Sequence, residues 1–257
     1  MAETKYEYAK RQSYNKAKMM LEAGNQFVVN DIPRSLVTKT PNIRMADSFL
    51  CSEVQLAPTN NSYDLNMKEG TPNTPAPGAT ATLFPDEQRL KINDVFFTYA
   101  LGFYIRPVSP GGGSFVNQLM TFPSAQFFGA GASNLATLVG LWTAGNLKFS
   151  IGGEIITPAH DLSNHLYIPQ TQEPANPIAG SIFWDQVDLQ NDGKYVIEPN
   201  WILNGSSDNQ TQINYGSNFN SIVLGTLNYR IVLKEFGWLA QNASGIMNNA
   251  PSMKQGN

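Results

Sequence analysis

The chain has 257 residues and a mass of 28.2 kDa, long enough for one large domain or two small ones that bury a core without a disulfide or a metal. Charged residues are 14% of the chain, against about 25% in ordinary soluble domains, and 26 Asn and 14 Gln keep the mean hydropathy at −0.26. A net charge of −3 argues against a wholly basic nucleic-acid binder, and 14 Phe, 10 Tyr and 4 Trp argue against disorder.

The first element in chain order is a helix over residues 4–22. It contains neither Pro nor Gly, Tyr6, Ala9, Ala17, Met20 and Leu21 roughly share a face, and Gly24 is placed as a stop. Residues 1–44 hold eight basic residues against four acidic ones, so they read as a basic N-terminal arm. Short strands follow. Residues 49–56 alternate in part, and residues 57–79 read as one long loop rich in Pro, Asn and Gly. Residues 94–107 are a long β-branched and aromatic run, with Gly102 marking a bulge or bend.

Residues 129–141 are expected to hold a short helix after Ser133. Leu147–Ile151 and Glu154–Thr157 read as a hairpin turned by Gly152-Gly153. Further strands are expected at 165–168, 181–184, 195–197, 201–203, 212–215 and within 221–239, and the residues after Gln241 read as a polar, mobile tail. The domain organisation is therefore an arm at 1–44, a β domain at 45–241 and a tail at 242–257. About a dozen short strands without βαβ alternation define an all-β sandwich or barrel. One long strand early, another last, and long excursions between them fit a jelly roll best.

The search for chemistry is largely negative. The chain has no nucleophile elbow, no P-loop and no complete dinucleotide fingerprint; Gly129-Ala-Gly131 is the entry to a short helix. The only histidines are His160 and His165, whose spacing of five places them on opposite faces of a strand. Asp161 is the one local candidate for a third metal ligand, so each His reads as an ordinary strand-end or loop residue. Cys51 is the only cysteine and sits in an apparent strand as a small core hydrophobe. Asp188-Leu-Gln-Asn-Asp192-Gly193 lacks the acidic residue that would close a calcium loop, and reads as a turn. No catalytic, cofactor or metal residue is expected. The informative feature is the arm, where Lys10, Arg11, Lys16 and Lys18 interleave with Tyr6, Tyr8, Tyr14 and Met19-Met20-Leu21. Such a helix can lie on an anionic membrane, touch nucleic-acid phosphates, dock on a neighbouring subunit or pack on its own domain.

Three segments carry a resemblance: Asn117-Gln-Leu-Met-Thr-Phe-Pro-Ser124, Leu141-Trp-Thr-Ala-Gly-Asn-Leu-Lys-Phe149 and His165-Leu-Tyr-Ile-Pro-Gln-Thr-Gln172. Over about Asp94 to Gln172 the chain resembles jelly-roll coat proteins of icosahedral bacteriophages infecting Bacteroidetes-type hosts. The resemblance implies a viral major capsid protein, made in the host cytoplasm and residing in the virion, that assembles with copies of itself into trimers or hexameric capsomers beside other capsid proteins. It also implies an inward-facing N-terminal helix that can touch the viral membrane, and the basic arm, with Lys10, Arg11, Lys16 and Lys18 read as facing membrane or genome, stands in the place of such a helix. Two full rolls would need about sixteen strands, so one elaborated roll is expected over a compact double one. Low charge agrees with extensive burial between subunits. The alternatives are a phage spike, fibre or decoration protein, or a carbohydrate-binding jelly roll in which Trp142, Trp184 or Trp201 stacks on sugar rings.

Overall fold

The computed structural model describes residues 4–24, 26–29, 32–35, 44–57, 60–69, 87–108, 119–122, 139–167, 193–216 and 228–249. Within them the protein is mostly β, with two antiparallel four-stranded sheets and an N-terminal helix. Helix α1 spans Lys5–Gly24 and is followed by a small hairpin of β1 (Gln26–Val29) and β2 (Ile32–Ser35), which the sequence reading left inside the arm. The remaining strands are β3 (Met45–Gln55), β4 (Ser62–Asn66), β5 (Val95–Val108), β6 (Gly145–Ile151), β7 (Glu154–Asp161), β8 (Lys194–Asn204), β9 (Asn209–Tyr215) and β10 (Asn228–Ala240). One sheet runs β3-β10-β5-β8 and the other β4-β9-β6-β7, so the chain repeatedly crosses from one sheet to the other.

Side-chain alternation explains the core. Leu50 and Val54 on β3, Leu101, Phe103 and Ile105 on β5, and Ile231 and Leu233 on β10 point inward from the first sheet. Tyr63 and Leu65, Leu147 and Phe149, and Ile213 and Tyr215 meet them from β4, β6 and β9, and all are buried in one cluster. Burying each such side chain contributes about 1.5–3 kcal/mol. Trp142 and Trp201 join this cluster, at 0% and 9% exposed.

Several local readings change. Residues 57–69 are not all loop: β4 lies there, because Tyr63, Leu65 and Met67 alternate inward between the polar residues flanking them. The expected strand at 165–168 begins instead as a single 3₁₀ turn, Leu162–His165, started by the Asp161 carboxylate accepting from Ser163 N. The runs at 195–197 and 201–203 form one strand, β8, whose register shifts opposite Thr98 and Ala100 of β5. That bulge, rather than Gly102, is the irregularity in β5. Gly102 instead makes room for the ring of Tyr104, since a Cβ there would stand 2.5 Å from the Tyr104 hydroxyl. The Gly152-Gly153 turn forms as expected, with φ of 61° and 86°. Residues 244–249 are not loose tail but a short helix α2 (Ser244–Asn249); Ala243 and Ile246 are buried, and Ala243 packs with Ala17 and Leu21 of α1. Of the expected short helix, residues 139–143 are helical. Residues 129–138, the strand at 181–184 and the loop at 188–192 lie outside the described residues.

Candidate functional site

Helix α1 lies against the outer face of the first sheet. The residues that turn inward along it are Ala9, Ser13, Ala17 and Leu21, flanked by the half-buried Tyr6, Lys10 and Met20. These recur at three- and four-residue spacing and form one stripe. Three of the buried four are small, so the helix seats close to Val95, Phe97 and Ala240, the floor of the second cluster. Polar contacts then set its position. Ser13 Oγ donates to Phe97 O at 3.3 Å, and Trp238 Nε1 donates to Lys10 O at 3.0 Å. The hydroxyls of Tyr6 and Tyr99 lie 3.2 Å apart, and Tyr99 donates to Asp47 at 3.0 Å. Burial holds the Tyr99 phenol well above the ordinary tyrosine range, so it remains a donor.

The four basic residues of the arm therefore divide. Lys10 pairs with Asp47 and stands 5.6 Å from the Trp238 ring centre, while Lys16 donates to Asn200 O at 3.2 Å. Both are turned to the protein's own sheet. Arg11 and Lys18 stand on the outward face with Tyr8 and Met19, which is 66% exposed. Arg11 lies over Tyr8, 5.8 Å from its ring centre. Sequence spacing could not divide the four, because Asp47, Asn200 and Trp238 arrive from distant positions.

Farther along the same outer face is a buried charge network. The Glu53 carboxylate, fully buried, lies 3.1 Å from Arg106 Nη1 and 3.4 Å from Arg230 Nη1. Beside it Arg89 Nη2 is 2.8 Å from Glu87 Oε1, which also accepts from Glu53 N at 2.8 Å. Residues 87–90 are drawn onto the edge of β3 through Cys51, whose N and O bond Gln88 O and N at 2.7 and 3.0 Å. Cys51 is buried with Tyr104 and Val232, and burial with the neighbouring Glu53 charge pushes its thiol up to about 12, so it stays protonated and inert.

At the β7–β8 corner the structure brings together the two histidines that strand spacing held apart. The 3₁₀ turn reverses the chain, so that His160 and His165 place their Nε2 atoms 3.0 Å apart. His165 is buried and its Nδ1 lies 2.9 Å from Gly193 O. Burial pushes His165 down to about 4 and also lowers His160, whose neighbour Asp161 acts in the opposite sense. The signal for this meeting was Asp161-Leu-Ser163, a helix-capping pattern directly between the two rings. Among the described residues no group of three or more His, Cys, Asp or Glu gathers as metal ligands, and no helix is long and apolar enough to cross a membrane. Trp142 and Trp201 are packed in the core and present no stacking face for a sugar, while Trp184 lies outside the described residues. Compared with protein-family models, curated proteins and solved structures, the chain matches none.

Proposed function

We propose that the sandwich is a single viral-type jelly roll and that the chain is a capsid protein assembling with copies of itself into an icosahedral phage shell. The strand order carries this reading. Taking β3 to β10, the strands that follow one another among the described residues, as eight, first pairs with eighth, second with seventh, third with sixth and fourth with fifth. That is one long antiparallel hairpin rolled up, closed into two sheets by the β10–β5 and β9–β6 pairs. Eight strands wound this way are the fold of capsid and lectin domains. The burial of Trp142 and Trp201 weighs against the lectin branch. A chain with 14% charged residues leaves broad surfaces that can be buried between subunits without stranding ions.

In this reading the outward face of α1, with Arg11, Lys18, Tyr8 and Met19, meets the membrane or genome inside the shell. Lys10 and Lys16 instead help seat the helix on its own domain. Light scattering coupled to size exclusion, followed by negative-stain microscopy, tests the assignment. Shells, sheets or hexagonal capsomers are expected. A protein that remains monomeric across salt and pH overturns it. For the arm, deleting the helix is a poor test because it uncovers Val95 and Phe97. The combined Arg11→Glu and Lys18→Glu variant leaves the seat intact. It is expected to fold and form capsomers while losing binding to anionic vesicles or nucleic acid, and unchanged binding removes this role from α1.

A further inference from the structure

The two imidazoles at the β7–β8 corner define their own protonation. Gly193 O only accepts, so His165 Nδ1 carries a proton and donates it across 2.9 Å. A neutral His165 then has a bare Nε2. The proton in the 3.0 Å contact between the rings therefore belongs to His160 Nε2, and His160 Nδ1 is left as an acceptor. One carbonyl thus orders the donors through both side chains.

Such a pair accepts one added proton but not two. Protonating His160 at Nδ1 keeps its Nε2–H directed at His165 and strengthens the bond by charge. Protonating His165 at Nε2 as well, when His160 is already cationic, sets two N–H groups against each other at 3.0 Å, and this contact must then open. Among the described residues, the surroundings offer the second charge no compensating acid. Asp161, beside His160 in sequence, acts to raise the pKa of His160, but its carboxylate is turned to Ser163 N at 2.8 Å. On β8, Lys194 directs its ammonium over the rings of Tyr6 and Phe236, at 5.3 and 4.9 Å, and Tyr195 offers its ring, centred 4.6 Å from that of His160 and 6.1 Å from that of His165. Phe103 of β5 packs 6.4 Å from His165 and does not titrate. The neighbouring Thr121 does not titrate either.

The pair joins parts that are otherwise weakly tied. No residue of β7 is fully buried, and its pairing with β6 shifts register between Leu147 and Phe149 and again between Phe149 and Ser150. Gly193, at the entry to β8, has φ +64°, and a Cβ there would lie 3.0 Å from His165 O. Just after the 3₁₀ turn, Tyr167 O accepts from Thr121 Oγ1 at 2.7 Å, and Tyr167 N donates to Thr121 O at 3.2 Å. The end of β7, the turn, residue 121 and the start of β8 therefore converge on His165.

We propose that the His160–His165 contact is an acid-operated latch, holding the end of β7 and the 3₁₀ turn onto the start of β8 while His165 is neutral and releasing that corner when His165 takes a proton. The inference stands on this corner's geometry and holds whether or not the chain is a coat protein.

Histidine ¹⁵N spectra and amide exchange, followed from about pH 7 to about 3.5, test it. His165 is expected to show the Nδ1–H tautomer and to titrate near 4, far below its ordinary 6.5. Protection of the Leu166 and Tyr167 amides should fall about tenfold per pH unit below that midpoint, once intrinsic exchange is corrected, while central β10 amides keep theirs. His165 titrating near its ordinary value, or protection unchanged through its transition, overturns the latch. His160→Gln is the second arm. Its amide donates to neutral His165 Nε2 and, turned over, accepts from the protonated ring, so His165 should titrate at higher pH while Leu166 and Tyr167 keep their protection through that transition. Protection that still falls as His165 titrates in this variant also overturns the proposal, and this readout separates a proton-operated contact from one that merely fills space.

Discussion

Glu235 is a carboxylic acid on the core side of β10, on the same face as Ile231 and Leu233 and level with Leu50 and Leu101 of the flanking strands. It is 1% exposed, and the hydroxyl of Thr98 donates to its Oε2 at 3.0 Å. Burial pushes its pKa up from 4.5 to about 7, against the smaller, lowering effect of Thr98. A folded value above the unfolded one means that its contribution to stability is fully present below about 4.5 and is lost as pH rises through about 7. At ~1.4 kcal/mol per pH unit the full swing is about 3 kcal/mol.

His165 acts with the opposite sign. Its folded value of about 4 lies below the ordinary 6.5, so its contribution is present above about 6.5 and lost as pH falls towards 4. The two slopes oppose each other between about pH 4.5 and 6.5, and the natural protein's stability should be shallow there. Glu235→Gln keeps the shape and the acceptor for Thr98 while removing the titration. The variant should match the natural protein near pH 4.5 and exceed it by about 3 kcal/mol above pH 7, roughly 6–12 °C in Tm for a chain of this size. Urea unfolding by tryptophan fluorescence at several pH values measures the difference directly, because contributions common to both proteins cancel. A difference that stays constant from acid to neutral pH would refute the placement of an uncompensated carboxyl in this core.

Arg106→Met should destabilise the fold by about 3–5 kcal/mol, because it removes a guanidinium group that neutralises the fully buried Glu53 carboxylate; a loss under about 1 kcal/mol would mean that water reaches Glu53. Ala17→Leu inserts a larger side chain where α1 has no space above Val95 and Phe97, at a cost of about 1–3 kcal/mol. Limited proteolysis should then cut α1 faster than in the natural protein, and an unaltered cutting rate would mean that the helix rides higher on the sheet than described.

What the sequence determined by itself is local. The absence of Pro and Gly from residues 4–22 with apolar residues on one stripe produced α1, and Gly152-Gly153 between two alternating runs produced the β6–β7 hairpin. The β-branched and aromatic runs produced β5 and β10. All these signals act within a few residues, where backbone preference and side-chain period are read directly. Tertiary structure decided the rest. Lys10 and Lys16 were set apart from Arg11 and Lys18 by partners at positions 47, 200 and 238. Glu53 and Glu235 became buried carboxyls because strands remote in sequence closed over them, supplying arginines to one and a threonine to the other. His160 and His165 met because a capped turn reversed the chain and the Gly193 carbonyl arrived from the next strand to orient the inner ring. Charge pairing and desolvation depend on which groups share a place in space, and in a fold wound from first strand to last that place is set by pairings more than a hundred residues apart.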